Sequence, residues 1–237
     1  MEQLLLPILC RIDSVVDETP DVKTFRLKIK DPAQMEKFHW NPGQFVEFSI
    51  FGFGECTFCI ASSPTRQGYF DCSIKKAGEV TSHIHSLLDV GMDIGIRGPF
   101  GNWFPFEELK GKNLLFIGGG IGLAPLRSLI QYCLDNRKDY GDINILYGAR
   151  SSSDLVYKNE LKEWQDNPTI KTTLTIDRPE ETWKDNVGVV PKILEDVVKP
   201  SIPNTRVITC GPPIMIKFTL QSLDKLGFAP KDVITTL

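Results

Sequence analysis

The rhythm of the chain changes once, near residues 107–112, and that change limits the fold more than any single residue does. Before it, runs rich in Val, Ile, Phe and Thr fall at 8–17, 22–29, 44–50, 54–61, 69–76 and 93–98. Asp31-Pro32, Asn41-Pro42-Gly43, Ser63-Pro64 and Gly91-Met92 separate them, and proline and glycine impose turn geometry. This spacing predicts an antiparallel barrel or sandwich, interrupted by one helix from about Val80 to Leu88 with Ile84, Leu87 and Leu88 on its apolar face. After residue 111, strands expected at 113–117, 143–147, 170–176, 206–210 and 233–237 alternate with helices. Leu123, Leu126, Ile130 and Leu134 recur at helical spacing; further helices are expected at 155–164, 191–198 and 214–226, the last closed by Gly227. Such alternation predicts a parallel sheet with covering helices. The expectation is two domains, 1–106 a β barrel and 107–237 a doubly wound α/β domain, with ligands in a cleft between unlike halves.

Charge and composition remove several function classes. Twenty-seven Lys and Arg against 30 Asp and Glu leave a formal charge of −3 over 237 residues, so no basic field attracts a phosphate backbone and no nucleic-acid partner is expected. The N-terminus lacks a basic leader region, and Pro7 cuts its apolar run, so no cleaved signal is expected. No stretch reaches the ~18 uninterrupted apolar residues of a membrane span. Cys10, Cys56, Cys59, Cys72, Cys133 and Cys210 are dispersed along a chain large enough to bury an ordinary core, unlike a secreted disulfide framework. The chain reads as cytoplasmic.

Chemistry enters with Gly118-Gly119-Gly120-Ile121-Gly122-Leu123-Ala124-Pro125, which follows an expected strand and opens an expected helix. Glycines there let backbone N–H groups approach a pyrophosphate at a helix N-terminus, although a tight strand-to-helix turn is the structural alternative. Leu-Ala-Pro in place of Gly-Lys-Ser/Thr excludes a nucleoside-triphosphate P-loop. An ordinary Rossmann site would also carry an acid at the end of the second strand, where this chain reads Tyr147-Gly148-Ala149-Arg150; Asp142 precedes that strand. Cys210-Gly211-Pro212-Pro213 ends a later strand and starts a helix. In an open α/β sheet it converges with the glycine loop at the carboxyl ends of the strands.

Together with Cys59-Ile60-Ala61-Ser62-Ser63-Pro64, Gly78-Glu79-Val80-Thr81-Ser82 and Gly98-Pro99-Phe100-Gly101, these motifs stand in the order of a known family. The chain resembles the ferredoxin–NADP reductase superfamily, in particular the gamma subunits of cytoplasmic hydrogenases and sulfur or sulfite reductases, over nearly its whole length. The resemblance implies a Greek-key antiparallel barrel holding FAD, an α/β domain holding a nicotinamide nucleotide, and hydride transfer between them. It places Phe58 against the flavin, Cys59 and Ile60 beside it with Cys59 near the reacting nitrogen, and the backbone of Ser73, Ile74 and Lys75 along the flavin edge. Gly78, Val80, Thr81 and Ser82 would receive the FAD pyrophosphate. Gly119, Gly120, Gly122, Leu123, Ala124 and Pro125, with Gly148, Ala149 and Arg150, would line the nicotinamide-nucleotide site; Cys210, Gly211 and Pro212 would lie beside the nicotinamide. Cys59 and Cys210 are thus the candidate catalytic positions. The implied partners are iron–sulfur subunits of a hydrogenase, a sulfur or sulfite reductase, or a related complex. A flavin-free docking module and an electron-transfer subunit of dihydroorotate dehydrogenase are the rival readings.

Two departures from the family stand out. Cys56 occupies the place where the flavin motif often begins with a phosphate-binding arginine. The sequence also ends at Thr235-Thr236-Leu237, where such gamma subunits continue into a cysteine-rich segment, so no [2Fe–2S] cluster is expected within it. Cys56-Thr57-Phe58-Cys59 is formally a Cys-x-x-Cys, but i and i+3 on a strand point to opposite faces, and no second ligand pair accompanies it. His39, His83 and His85 are the only histidines, and His83 and His85, two apart on an expected helix, do not share a face, so no His-based metal site or catalytic triad is expected. Asp177-Arg178 follows the third strand of the α/β domain; an aspartate there repels a 2′-phosphate, which favours NAD, while Arg150 and Arg178 leave NADP open.

Overall fold

The structure, a computed structural model, describes residues 6–197 and 202–236. Val198, the last residue of one expected helix, and Leu237, the last of the final expected strand, lie outside them. The chain divides into two compact units: Met1–Phe104 with Arg127–Asp135, and Pro105–Leu126 with Asn136–Leu237.

The first unit is a six-stranded antiparallel sheet of β1 (Ile8–Thr19), β2 (Val22–Ile29), β3 (Phe45–Ile50), β4 (Gly54–Cys59), β5 (Phe70–Lys75) and β6 (Asp93–Phe100). Their order is β4-β3-β6-β1-β2-β5. Alternate residues point inward, so Phe25, Leu27, Val46, Phe48, Phe70, Ile94 and Ile96 fill one core and are fully buried. Register shifts in β1 at Ile12/Ser14 and Asp17/Thr19 bend the long strand. The two end strands meet where Ile60 bridges Cys72 and Ala61 N–H donates to the Asp71 carbonyl at 2.8 Å, which curls the sheet into a barrel.

Two helices interrupt this unit, not the single one expected. Asp31-Pro32 reads as a turn but starts α1 (Pro32–Lys37): the Asp31 carboxylate accepts from Ala33 N–H at 2.9 Å, and Pro32 sits at the first turn, where a missing N–H costs nothing. The other, α2 (Glu79–Leu87), packs its buried Ile84 with the partly buried Val80 and Leu88 against the core. These lie four residues apart, and Leu87, one step round the helix, is exposed.

The second unit is a parallel sheet of β7 (Asn113–Gly119), β8 (Ile143–Ala149), β9 (Lys171–Ile176), β10 (Asn186–Val187), β11 (Thr205–Cys210) and β12 (Val233–Thr235), ordered β10-β9-β8-β7-β11-β12. Its helices are the start of α3 (Leu123–Asp135, of which Arg127–Asp135 belongs to the first unit), α4 (Lys158–Asp166), α5 (Val190–Val197) and α6 (Pro213–Lys225). Central strands covered on both faces carry apolar runs, and Leu114 to Ile117 are fully buried. The chain winds from β7 through β8 and β9 to one side and through β11 and β12 to the other, so the switch point lies between β7 and β11. β10 is too short for periodicity to reveal. Helix α4 begins three residues after its expected start because Tyr157 adopts φ 57°, a left-handed conformation no helix interior accepts.

Candidate nucleotide-binding sites

In the barrel the closing seam is short. Antiparallel pairing at Ile60–Cys72 means that β4, read backwards, runs beside β5, read forwards. Among the described residues no ladder joins them beyond that bridge. Phe58 and Cys59 form one lip, and Ser73, Ile74 and Lys75 the other. Farther along, the seam is bounded by Gly54 and the start of α2, where a Cβ on Gly54 would stand 3.3 Å from Val80 Cγ2. Phe58, Cys59 and Ile60 thereby stand across the seam from Ser73, Ile74 and Lys75, and Val80, with Gly78, Thr81 and Ser82 around the start of α2, borders it near Gly54.

Side chains at the lips are largely committed to the barrel. Ile60 and Ile74 are fully buried, Ser73 Oγ pairs with Thr24 Oγ1 at 2.8 Å, and Phe58 meets Phe48 edge-on at 5.9 Å. What the lips turn to the seam is largely backbone, and of it the Ile74 carbonyl is engaged by His85 Nε2 at 2.8 Å. At α2, the Thr81 hydroxyl accepts from Ala77 N–H (2.9 Å) and Gly78 N–H (2.8 Å) and donates to the Gly78 carbonyl. Ser82 N–H makes the first helical bond, to Gly78 O at 2.9 Å. The N–H groups of Glu79, Val80 and Thr81 precede that bond, and a Cβ on Gly78 would meet nothing within 4 Å. This clear N-terminus can take an anion. Burial, then the Glu47 carboxylate, push the Cys56 thiol up, so position 56 contributes no charge.

Behind the seam lies a buried ionic cluster that sequence patterning does not reveal. Asp71, 1% exposed, receives Arg26 through two bonds (2.9 and 3.2 Å) and Arg127 Nη1 at 3.1 Å. Arg127 also donates to the Ala61 carbonyl at 3.0 Å, Ser128 Oγ to the Ser62 carbonyl at 2.8 Å, and Ser63 N–H to Gln131 Oε1 at 3.0 Å. These bonds fix residues 61–63, directly after the β4 lip. The only sequence sign is an Arg-Ser-Leu-Ile-Gln run on a helix that is otherwise apolar.

In the second unit the expected residues gather at the carboxyl edge of the sheet. Gly118 pairs with Tyr147 and Cys210, Gly119 with Gly148, and Ala149 with Ile176. The glycine loop forms a tight turn over Gly120–Gly122 and enters α3 at Leu123. Its glycines differ in what they allow. A Cβ on Gly122 would lie 2.6 Å from both Cys210 O and Gly211 Cα, so its bareness lets two backbones touch. Gly119 and Gly211 make room for the Met215 side chain, and Gly148 for Val190 and Thr175. Gly120 alone among the loop glycines has φ +55° with nothing within 4 Å of a Cβ, and faces open space. Leu123 and Ala124 are buried and Pro125 has no N–H, so this part of the loop offers ligands backbone only from the turn itself.

At the outer end of that edge, Asp177 N–H donates to Ala149 O at 3.0 Å and Arg178 N–H to Arg150 O at 3.1 Å, which sets Arg150, Asp177 and Arg178 side by side. Partial desolvation holds the Asp177 carboxyl above the usual carboxylate range, against the pull of Arg150 and Arg178. A neighbour the sequence did not flag is Glu180, whose carboxylate accepts from Ser152 N–H (2.9 Å) and Ser152 Oγ (2.5 Å) and ties down the turn after β8. Pro212 is exposed beside the half-exposed Cys210 and Gly211. Burial pushes the Cys210 thiol up, so it is a neutral thiol and not a thiolate nucleophile.

No disulfide joins any of the six cysteines. Among the described residues no group of three or more His, Cys, Asp or Glu could hold a metal, and no helix is long and apolar enough to cross a membrane.

Comparison with known proteins matches residues 9–104 to an oxidoreductase FAD-binding domain and residues 116–221 to an oxidoreductase NAD-binding domain. The chain is 38% identical over 231 residues to the sulfhydrogenase 1 gamma subunit of Pyrococcus furiosus, covering 96% of this chain and 78% of that one. It is 30% identical to NADH-cytochrome b5 reductase 1 of Dictyostelium discoideum, covering 73% of this chain and 62% of the relative. Among solved structures, a ferredoxin NADP+ reductase from Neisseria gonorrhoeae with bound FAD and NADP superposes with a TM-score of 0.80 at 19% identity, covering 96% and 97% of the two chains.

Proposed function

Because the chain belongs to the ferredoxin–NADP reductase superfamily of FAD- and NAD-binding oxidoreductases, we propose that it is the flavoprotein electron-transfer subunit of a larger redox complex, linking a nicotinamide nucleotide to an iron–sulfur partner subunit. The observation that carries this reading is the seam of the barrel, where a single Ile60–Cys72 bridge stands in place of a β4–β5 ladder and the start of α2 adjoins, at the positions where the family resemblance puts its flavin contacts. FAD, when bound, supplies the chemistry: it exchanges a hydride with the nicotinamide and single electrons with a metal centre.

The chain's own residues bind and orient. Backbone at Phe58–Ile60 and Ser73–Lys75 would hold the flavin edge through main-chain hydrogen bonds, which tolerate side-chain change. The first turn of α2, at Gly78, Val80, Thr81 and Ser82, would hold the pyrophosphate with N–H groups and the helix dipole, which lets the neutral Cys56 stand in the arginine's place. Gly119, Gly120 and Gly122, with Gly148, Ala149 and Arg150, would seat the nicotinamide nucleotide; Asp177 favours NAD over NADP. Cys59 and Cys210 would lie beside the two rings and act by shape, Cys210 as a neutral thiol. Hydride transfer depends on distance and orientation, so no general acid or base is required.

Likeness to a sulfhydrogenase gamma subunit over 96% of the chain supports a hydrogenase or sulfur-reducing complex in the cytoplasm as the setting. The test has two parts. Purified chain supplied with FAD should turn yellow and be bleached anaerobically by NADH; a chain that refuses FAD would instead be a nucleotide-binding docking module. Anaerobic isolation from the native source should then bring down an iron-containing subunit; isolation of the chain alone would remove the partner assignment.

A further inference from the structure

We propose that the buried hydroxyl of Tyr147 is the positioning group of the glycine loop, turning the Gly120–Ile121 peptide so that its N–H faces a bound diphosphate. The inference rests on the reading of that loop as the nicotinamide-nucleotide site and adds to it a residue that never touches the ligand.

The argument begins with the ring. Tyr147 sits in β8 opposite Gly118 and is fully buried. A Cβ on Gly118 would stand 3.3 Å from Tyr147 Cδ2, so the glycine at the end of β7 admits the ring closely against the strand. Packing alone would be served by phenylalanine, and a hydroxyl taken out of water is costly unless it is paired. This one is paired twice. Val156 N–H donates to it at 3.2 Å, and it donates to the Gly120 carbonyl at 3.1 Å. A backbone N–H can only donate, so Val156 fixes the hydroxyl as an acceptor on that side and directs its single proton to Gly120.

The consequence lies one bond further on. Leu123 N–H also donates to the Gly120 carbonyl, so this oxygen is held inward from two directions. In a planar trans peptide the C=O and the following N–H point opposite ways. Holding the Gly120 oxygen towards Tyr147 therefore aims the Ile121 N–H away from the core, on the side of a loop whose Gly120 meets nothing within 4 Å. Gly120 adopts φ +55°, a conformation that glycine enters without penalty, so the loop's backbone is permissive here and the Tyr147 bond adds to the Leu123 bond in holding this peptide orientation.

The test uses Tyr147→Phe in the full chain loaded with FAD, with flavin content as the check on folding. Two probes compete against NADH: ADP-ribose, which carries the diphosphate, and adenosine, which does not. The expected result is that ADP-ribose weakens about fivefold, the size of one net hydrogen bond, and the loss in NADH turnover falls on KM and not on kcat, while adenosine is unmoved. Unchanged ADP-ribose affinity would overturn the proposal and leave the site assignment standing. Equal weakening of both probes would also overturn it, because the hydroxyl would then serve the Val156 loop alone. Wild-type protein that binds neither probe would bring down the site assignment itself.

Discussion

The two candidate sites are made by opposite means. In the barrel a ladder is cut short: the chain just after β4 meets β5 at the Ile60–Cys72 bridge, and among the described residues no further ladder joins the two strands, so strand edges and a helix start lie along the candidate site. In the parallel sheet every described strand is paired, and omitting Cβ atoms at Gly119, Gly122, Gly148 and Gly211 lets protein atoms pack tightly under the carboxyl edge, leaving Gly120 as the loop glycine that faces open space. A site made of edges depends on what fixes those edges, whereas a site made of missing atoms depends on the atoms staying missing. The first should thus fail when its buried support is cut, and the second when a single methyl is added.

The largest effect is expected behind the seam. Asp71→Asn keeps the shape but removes the charge shared by Arg26 and Arg127, and the Arg127 side chain is only 6% exposed. Leaving a buried cation without its counter-charge costs roughly 3–5 kcal/mol, so chemical denaturation should show the barrel weakened by that order and FAD retention falling with it. A variant as stable as wild type would mean that the lips are fixed by the ladder alone. Gly122→Ala comes next. Its Cβ would meet backbone that cannot swing aside, and such overpacking costs about 1–3 kcal/mol. Anaerobic bleaching by NADH should collapse while flavin content persists. If Gly120→Ala were the more damaging of the two, the loop would be limited by its ligand face and not by its packing.

That contrast also sets what could be read in advance. Strands and helices were legible wherever burial is one-sided or continuous, which is why β2, α3 and α6 fall close to their expected limits. Asp31-Pro32 is both a turn signal and a helix start, and α1 is only six residues long, too few for periodicity to decide. The site positions were legible as motifs because glycine and proline leave marks. What the motifs hid was the division of labour: Gly120 and Gly122 look alike in sequence, yet one borders open space and the other touches β11. Asp71, Arg127 and Tyr147 act through partners far away in the chain, and no local pattern records such pairings.

Smaller effects probe the charges at each site. Asp177→Ala should narrow a preference for NADH over NADPH by about threefold to fivefold, the scale of one partly screened charge pair of roughly 1 kcal/mol. The pH dependence follows from the direction of the shift. Desolvation raises the folded-state pKa above the ordinary 3.8, so the carboxylate, and with it the discrimination, is present at neutral pH and is lost on acidification sooner than for a solvated aspartate. A ratio of kcat/KM values that stays flat from neutral to mildly acidic pH would show that the 2′ position lies elsewhere.

The smallest change expected is a gain. Cys56→Arg restores the cation that the family often places at the flavin phosphate, in a seam where backbone N–H groups and the α2 dipole are already in position. Glu47 lies near enough to raise the Cys56 pKa, and would compete with a phosphate for the new guanidinium. The helix N-terminus would also carry part of the stabilisation that an arginine would otherwise supply, of the order of 0.3–1 kcal/mol for a surface charge. FAD should therefore bind only about twofold to threefold more tightly by fluorescence titration of the apoprotein. A hundredfold gain would show instead that the edges and the helix start are insufficient alone, and that the barrel site, like the glycine loop, turns on a single atom group.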